Sequence, residues 1–235
     1  MITSAEIQQY QSNTFDNQFT AIHKSRKIAW YPWVGKQYLS ASYKILVILE
    51  SHYINKERTN ITDIALPNFT RRIVAEQIFP QHYWKSDTFP PLTECLSGQK
   101  LPVEKRHLLW EKVAFYNFIQ RPMDNPKARP NKQDFVNGWK TFPAVVDILR
   151  PDVCIFADFA IISKMSLPMG LQVTRIEWEK DSINGAYPRS CFTIKTQNHT
   201  MKGVAVKHPG RSFTANKWRA VLQRQVPNAI KILSL

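Results

Sequence analysis

Lys44-Ile45-Leu46-Val47-Ile48-Leu49-Glu50-Ser51-His52-Tyr53 is the stretch whose reading decides the fold. A short apolar run bounded by polar residues has the length and β-branched content of a central strand covered on both faces, although periodicity alone leaves a buried helix piece as the other reading. Working outward, further strands are expected at Val113–Ile119, Val153–Ala157, Val173–Trp178, Ser190–Thr196 and Gly203–Val206. Helical spacing is expected at Ala5–His23, Phe69–Phe79, Gln133–Leu149, Phe159–Met165 and Phe213–Arg224. This alternation is that of an α/β layer fold. The aromatic stretch from Ile28 to Gly35 reads as an ordered loop, and the proline-rich segments Phe89–Leu92 and Arg121–Pro130 read as loops as well. No repeat or clean linker interrupts the chain, so residues 1–235 are expected to form one domain, with residues 1–40 packed on it as an N-terminal helix and aromatic loop.

Composition narrows the function classes. An apolar fraction of 43%, with seven Trp, eight Tyr and thirteen Phe, supplies a buriable core and excludes disorder as the main state. Only seven glycines occur and none forms the common phosphate-cradling motifs, so ordinary dinucleotide-binding and P-loop enzymes are disfavoured. Net charge is +14, and after Asp181 there is no acidic side chain while nine Lys and Arg residues follow. A polyanion is the natural partner for such a segment, since phosphate neutralisation releases counterions; a merely basic surface is the plain alternative. Cys95, Cys154 and Cys191 form no C-x-x-C pair, which argues against a disulfide framework or a cysteine-rich metal site. Without a signal-like N-terminus or an apolar run near 18 residues, the protein is expected to be intracellular (cytoplasmic) and free of membrane, leaving the sequons at Asn60, Asn68 and Asn198 without glycans.

In an open α/β sheet, ligands bind beyond the carboxyl ends of the strands. Three of these ends carry chemistry: Glu50-Ser51-His52-Tyr53 after the first strand, Tyr116-Asn117-Phe118-Ile119-Gln120 in the second, and Lys207-His208-Pro209-Gly210-Arg211-Ser212-Phe213 after the last. Together they offer a carboxylate, an amide and an imidazole. Glu50 and His52 alone, without cysteine support, do not make a metal site.

In order and placement, these segments resemble the uracil-DNA glycosylase superfamily. Leu49-Glu50-Ser51-His52-Tyr53 is similar to its first motif, G-x-D-P-Y or G-E-x-P-G; Tyr116-Asn117-Phe118-Ile119-Gln120-Arg121-Pro122 resembles the asparagine motif of its iron–sulfur branch; His208-Pro209-Gly210 stands in the place of H-P-S. Val153 to Ala160 adds a weaker match, and the likeness spans roughly Tyr43 to Gln225. It implies a three-layer α/β/α sandwich with a central, mostly parallel sheet, and cofactor-free hydrolysis of an N-glycosidic bond in single- or double-stranded DNA. Leu49 replaces the motif glycine, Ser51 the aspartate and His52 the proline, and the four cluster-binding cysteines of the iron–sulfur branch are missing.

Cleaving an N-glycosidic bond builds positive charge on the sugar and negative charge on the departing base. Glu50 is expected to stabilise the sugar or activate water, His208 to donate to the leaving base, and Asn117 to read its edge with one donor and one acceptor. Tyr53, Phe69 and Ser51 are the expected pocket lining for a flipped base. Lys207, Arg211, Lys217, Arg219 and the backbone around Ser212 are the expected phosphate contacts. Two rival readings stay open: a non-catalytic DNA-binding protein sensing modified or single-stranded DNA with the same pocket, and hydrolysis of a free nucleoside or nucleotide.

Overall fold

A computed structural model describes residues 2–25, 27–54, 61–125, 127–177, 182–186, 191–210 and 212–235. Seven strands, β1 (Trp33–Val34), β2 (Ile45–Leu49), β3 (Ala114–Asn117), β4 (Val153–Phe156), β5 (Gln172–Glu177), β6 (Cys191–Lys195) and β7 (Thr200–Ala205), form one sheet in the order β1-β3-β2-β4-β7-β6-β5. The four middle strands, β3, β2, β4 and β7, are mutually parallel, while β1, β6 and β5 pair antiparallel with their neighbours at the two edges.

The decisive run behaves as its period of two requires. Every residue of β2 is buried; Ile45, Val47 and Leu49 enter one core and Leu46 and Ile48 the other. The first core contains apolar residues of the helices Phe69–Glu76, Phe89–Ser97, Ala215–Gln225 and Pro227–Leu233; the second contains those of Lys132–Leu149 and Asp16–Lys24. The sheet is therefore the middle of three layers. Glycine is required at Gly203 on β7, where a Cβ would lie 2.2 Å from the Phe192 ring.

Several expected boundaries change, each for a local reason. The single helix expected over Ala5–His23 is two, Ser4–Ile7 and Asp16–Lys24, separated by Gln11, which bridges to Gly35. The aromatic loop contains β1, held antiparallel to β3. The proline-rich segment at Phe89 starts a helix rather than a loop, because Pro90 and Pro91 fall in its first turn, where no intrahelical N–H is needed. The last strand starts earlier than expected, at Thr200, and the expected ends Trp178 and Ser190 lie outside the described residues. The N-terminal segment is fastened through Arg71, which is buried, forms an ion pair with Asp16 at 2.6 Å and donates to the Pro32 carbonyl at 2.9 Å.

Candidate active site

Because β2, β3, β4 and β7 are parallel, their carboxyl ends share one edge of the sheet. Glu50–Tyr53 leaves β2 there and is held against the segment after β3: Ile119 N donates to Glu50 O, Met123 N to His52 O and Ile54 N to Met123 O, each at 2.8 Å. Asn117 is the last residue of β3, and His208 follows β7 by three residues. The expected carboxylate, amide and imidazole thus reach the same edge.

The amide and the imidazole border a cavity of about 620 Å³ lined on the sheet side by Leu49, Ser51, His52, Tyr53, Asn117 and His208. Its opposite wall comes from the helix Phe69–Glu76 and from residues 82–89, including Phe69, Arg72, Glu76, Trp84 and Phe89, together with Asp63. Phe69 is buried and meets the His52 ring edge-on, with centroids 4.8 Å apart. Glu50 stands just behind the lining, 5% exposed, and accepts a 2.8 Å hydrogen bond from the Tyr53 hydroxyl.

Burial, reinforced by the negative charge of Asp158, raises the Glu50 carboxyl above its ordinary range; the Tyr53 hydroxyl, Arg129 and Lys164 act in the opposite sense. Burial lowers His208, with Arg129 adding to the effect and Asp158 opposing it, so the ring favours its neutral form. The same cause pulls His52 down to about 3 and pushes Tyr53 up to about 12. Asn117 is 2% exposed; its Nδ2 lies 2.7 Å from His52 Nε2, which also lies 2.8 Å from Thr70 Oγ1. Asn117 Oδ1 and Ser51 Oγ are buried without a hydrogen-bond partner. Such groups cost about 1–3 kcal/mol each unless something fills their valence.

The expected phosphate contacts separate. Lys207 donates to Ser212 O at 3.1 Å, and Ser212 is exposed with a left-handed φ of 64°. Lys217 is exposed on the helix Ala215–Gln225. Arg211 lies outside the described residues. Arg219 corrects the expectation: its guanidinium donates to the carbonyls of Cys95 and Leu96 and to the Ser234 hydroxyl, so it clamps helix ends instead of facing a phosphate.

Sequence reasoning missed Asp158, Arg129, Lys164 and, apart from Phe69, the far wall. Asp158 was findable, since it follows an expected strand; there it also caps the helix Phe159–Ser163 by accepting from Ala160 N at 2.7 Å. Arg129 sits in a proline-rich loop and gave no signal, yet its guanidinium carbon lies 5.9 Å from the Tyr53 ring centre. Among the described residues, no group of three or more His, Cys, Asp or Glu could hold a metal ion, and no helix is long and apolar enough to cross a membrane. No protein-family model matches the sequence, and comparison with curated proteins returned no match.

Proposed function

We propose that this protein is a uracil-DNA glycosylase-like enzyme that takes a uracil-type or modified base out of DNA and hydrolyses its N-glycosidic bond. The observation that carries the reading is that Asn117 and His208, from two parallel strand ends, line one aromatic-walled cavity, with Glu50 from a third strand end held beside it by the Tyr53 hydroxyl. The flipped base lies in the cavity whose wall includes Phe69, read by Asn117. As the bond between C1′ and the base nitrogen breaks, its electron pair leaves with the base, and His208 donates a hydrogen bond to the oxygen where that charge collects. Water adds to C1′, and Glu50 takes the proton that the water loses. A carboxyl raised above its ordinary range is a better proton acceptor than a free one, provided that it is ionised at the working pH. The net charge of +14 supplies attraction for the DNA backbone.

The test is release of abasic sites from labelled single- and double-stranded DNA carrying uracil or modified pyrimidines, read by alkaline cleavage. Activity on at least one base, lost in Glu50→Gln and His208→Ala, is expected; base release unchanged in both variants rejects the assigned roles. One observation favours a second reading: Glu50 stands behind the cavity lining with an oxygen engaged by Tyr53, as suits a pocket that binds a base without cutting it. Salt-sensitive DNA binding that Glu50→Gln leaves intact, with no abasic product, is the signature of that sensor.

A further inference from the structure

Outside the cavity, the end of the helix Asp16–Lys24, the segment after β3 and the helix Lys132–Leu149 border three concavities that share residues. Gln120 lines all three and Lys27 joins two of them, so they run together as one groove. Near the cavity its lining is apolar, with Trp30, Ile54 and Ile64. The Trp30 ring meets the His52 ring edge-on, with centroids 5.0 Å apart, and His52 lines the cavity itself, so one aromatic ring separates the two spaces. Farther along, the lining turns cationic, with Lys24, Lys27 and Lys140 all exposed.

Among the described residues, Asp134 is the one acid that lines the groove, and the Arg121 guanidinium takes both of its carboxylate oxygens at 2.6 Å. The three lysines therefore meet no free carboxylate there. The floor is also fixed. Gln120 accepts from Ala29 N at 2.9 Å and Trp30 N at 3.2 Å and donates to Asn117 O at 2.6 Å, while Thr141 donates to Lys27 O at 2.8 Å. Filling a groove already held in shape costs little ordering.

A concave line of cations without a competing anion fits a polyanionic chain. A groove that leads off from a base-holding cavity fits the strand to which that base is attached. Bases of an unpaired strand can lie against the apolar end, whereas a duplex keeps them stacked inward. Resting on the glycosylase-like reading of the cavity, we infer that the groove takes the single-stranded flank of the DNA on one side of the recognised nucleotide, with Lys24, Lys27 and Lys140 on its phosphates. Lys24 and Lys27 precede Tyr43, where the likeness to the glycosylase superfamily begins, so the contact belongs to this chain's own N-terminal segment.

The test is fluorescence anisotropy of a labelled oligothymidylate of about sixteen nucleotides, titrated with salt. Native protein is compared with Lys24→Gln/Lys27→Gln/Lys140→Gln and with Lys36→Gln/Lys100→Gln/Lys105→Gln, which removes the same charge from exposed positions outside the groove; both are checked by thermal melting. Each phosphate contact of a single strand contributes about 0.7 to the slope of log affinity against log salt, so the groove variant should lower that slope by about 2 and weaken binding at least about tenfold at about 0.1 M salt. The control variant should keep the native slope. Equal losses in the two variants would reduce the effect to net charge and overturn the inference, as would native protein that fails to bind. A duplex that loses as much affinity in the groove variant as the single strand does would reject the single-stranded flank. Polyglutamate that displaces the label as well as unlabelled oligothymidylate does would assign the groove to an acidic protein chain instead. Because no cleavage is read, the two proposals fail separately: base release without a groove effect keeps the chemistry and removes the groove, and a groove effect without base release does the reverse.

Discussion

The two walls of the cavity carry their polar groups in different states. On the sheet wall, Ser51 Oγ and Asn117 Oδ1 lack partners, burial disfavours the ionised Glu50 carboxyl, and the His52 and His208 rings are held toward neutrality. On the far wall, Arg72 neutralises Asp63 and Glu76 in part, and Glu76 anchors Trp84. Unpaired and reluctantly charged groups cost stability, so their concentration on one wall marks where a ligand would complete the bonding. The paired wall closes the space and sets its charge.

The sharpest way to break this contrast is Glu50→Gln. If Glu50 accepts the water proton, base release should fall by about a hundred- to a thousandfold, read as abasic sites per unit time. The same change should raise the melting temperature at neutral pH. A carboxyl whose folded pKa lies above its unfolded value binds more protons folded than unfolded between the two, so its ionisation removes stability as pH rises through that window. The gain from Gln should therefore disappear in acid below the ordinary carboxylate range. A variant less stable than the native protein at pH 7 would place the cost elsewhere. The native rate should also show an acid limb set above the ordinary carboxylate range.

Arg72→Met tests the other wall and should act with the opposite sign. Removing the guanidinium leaves Asp63 and Glu76 facing each other in a half-closed space, at a cost of about 2 kcal/mol in denaturant unfolding. No loss would mean that the acids reach water and that the wall is not closed.

His52 separates the walls by pH. It is held near 3 in the folded chain, against an ordinary 6.5. The unfolded chain therefore binds the extra proton first, and stability falls as pH drops from about 6.5 toward 3, at most by about 1.4 kcal/mol per pH unit. His52→Phe keeps a ring beside Phe69 and Trp30 and should flatten that slope between pH 7 and 5. An unchanged slope would show that His52 is not the group responsible.

The two walls also differed in how far they could be read from sequence. The sheet wall was legible because a strand end is local: an apolar run stops, and the next residues must stand at the sheet edge, as Glu50, Asn117 and His208 do. Phe69 was reached only as the aromatic lining that a flipped base would need. Arg72 and Glu76 lie on the far wall because the helix starting at Phe69 turns them, at i and i+4, toward Asp63 and Trp84. That orientation depends on where segment 82–89 returns, which no local pattern states. Arg219 failed for a related reason: a basic side chain near a basic segment looks like a phosphate contact until the carbonyls that end the helix Phe89–Ser97 are placed beside it. Pro90 and Pro91 misled in the same region, since a proline pair reads as a break unless it falls in a helix's first turn.

The smallest expected effect lies at Ser212, beyond the sheet wall, in the loop that follows His208. Its φ of 64° puts a side-chain-bearing residue in the left-handed region, which costs an L-residue about 1–2 kcal/mol. Lys207 ties the loop across by donating to Ser212 O, so the conformation is held by its neighbours. Ser212→Gly relieves the strain but gives the unfolded chain more freedom, which offsets part of the gain. The net change should be a stabilisation of no more than about 1 kcal/mol. If the held loop positions the DNA strand, the variant should bind DNA a few-fold more weakly despite its greater stability, because the loop must then be ordered on binding. Tighter binding by the glycine variant would mean that the strained conformation obstructs the DNA, and the loop would have to move for the base to enter.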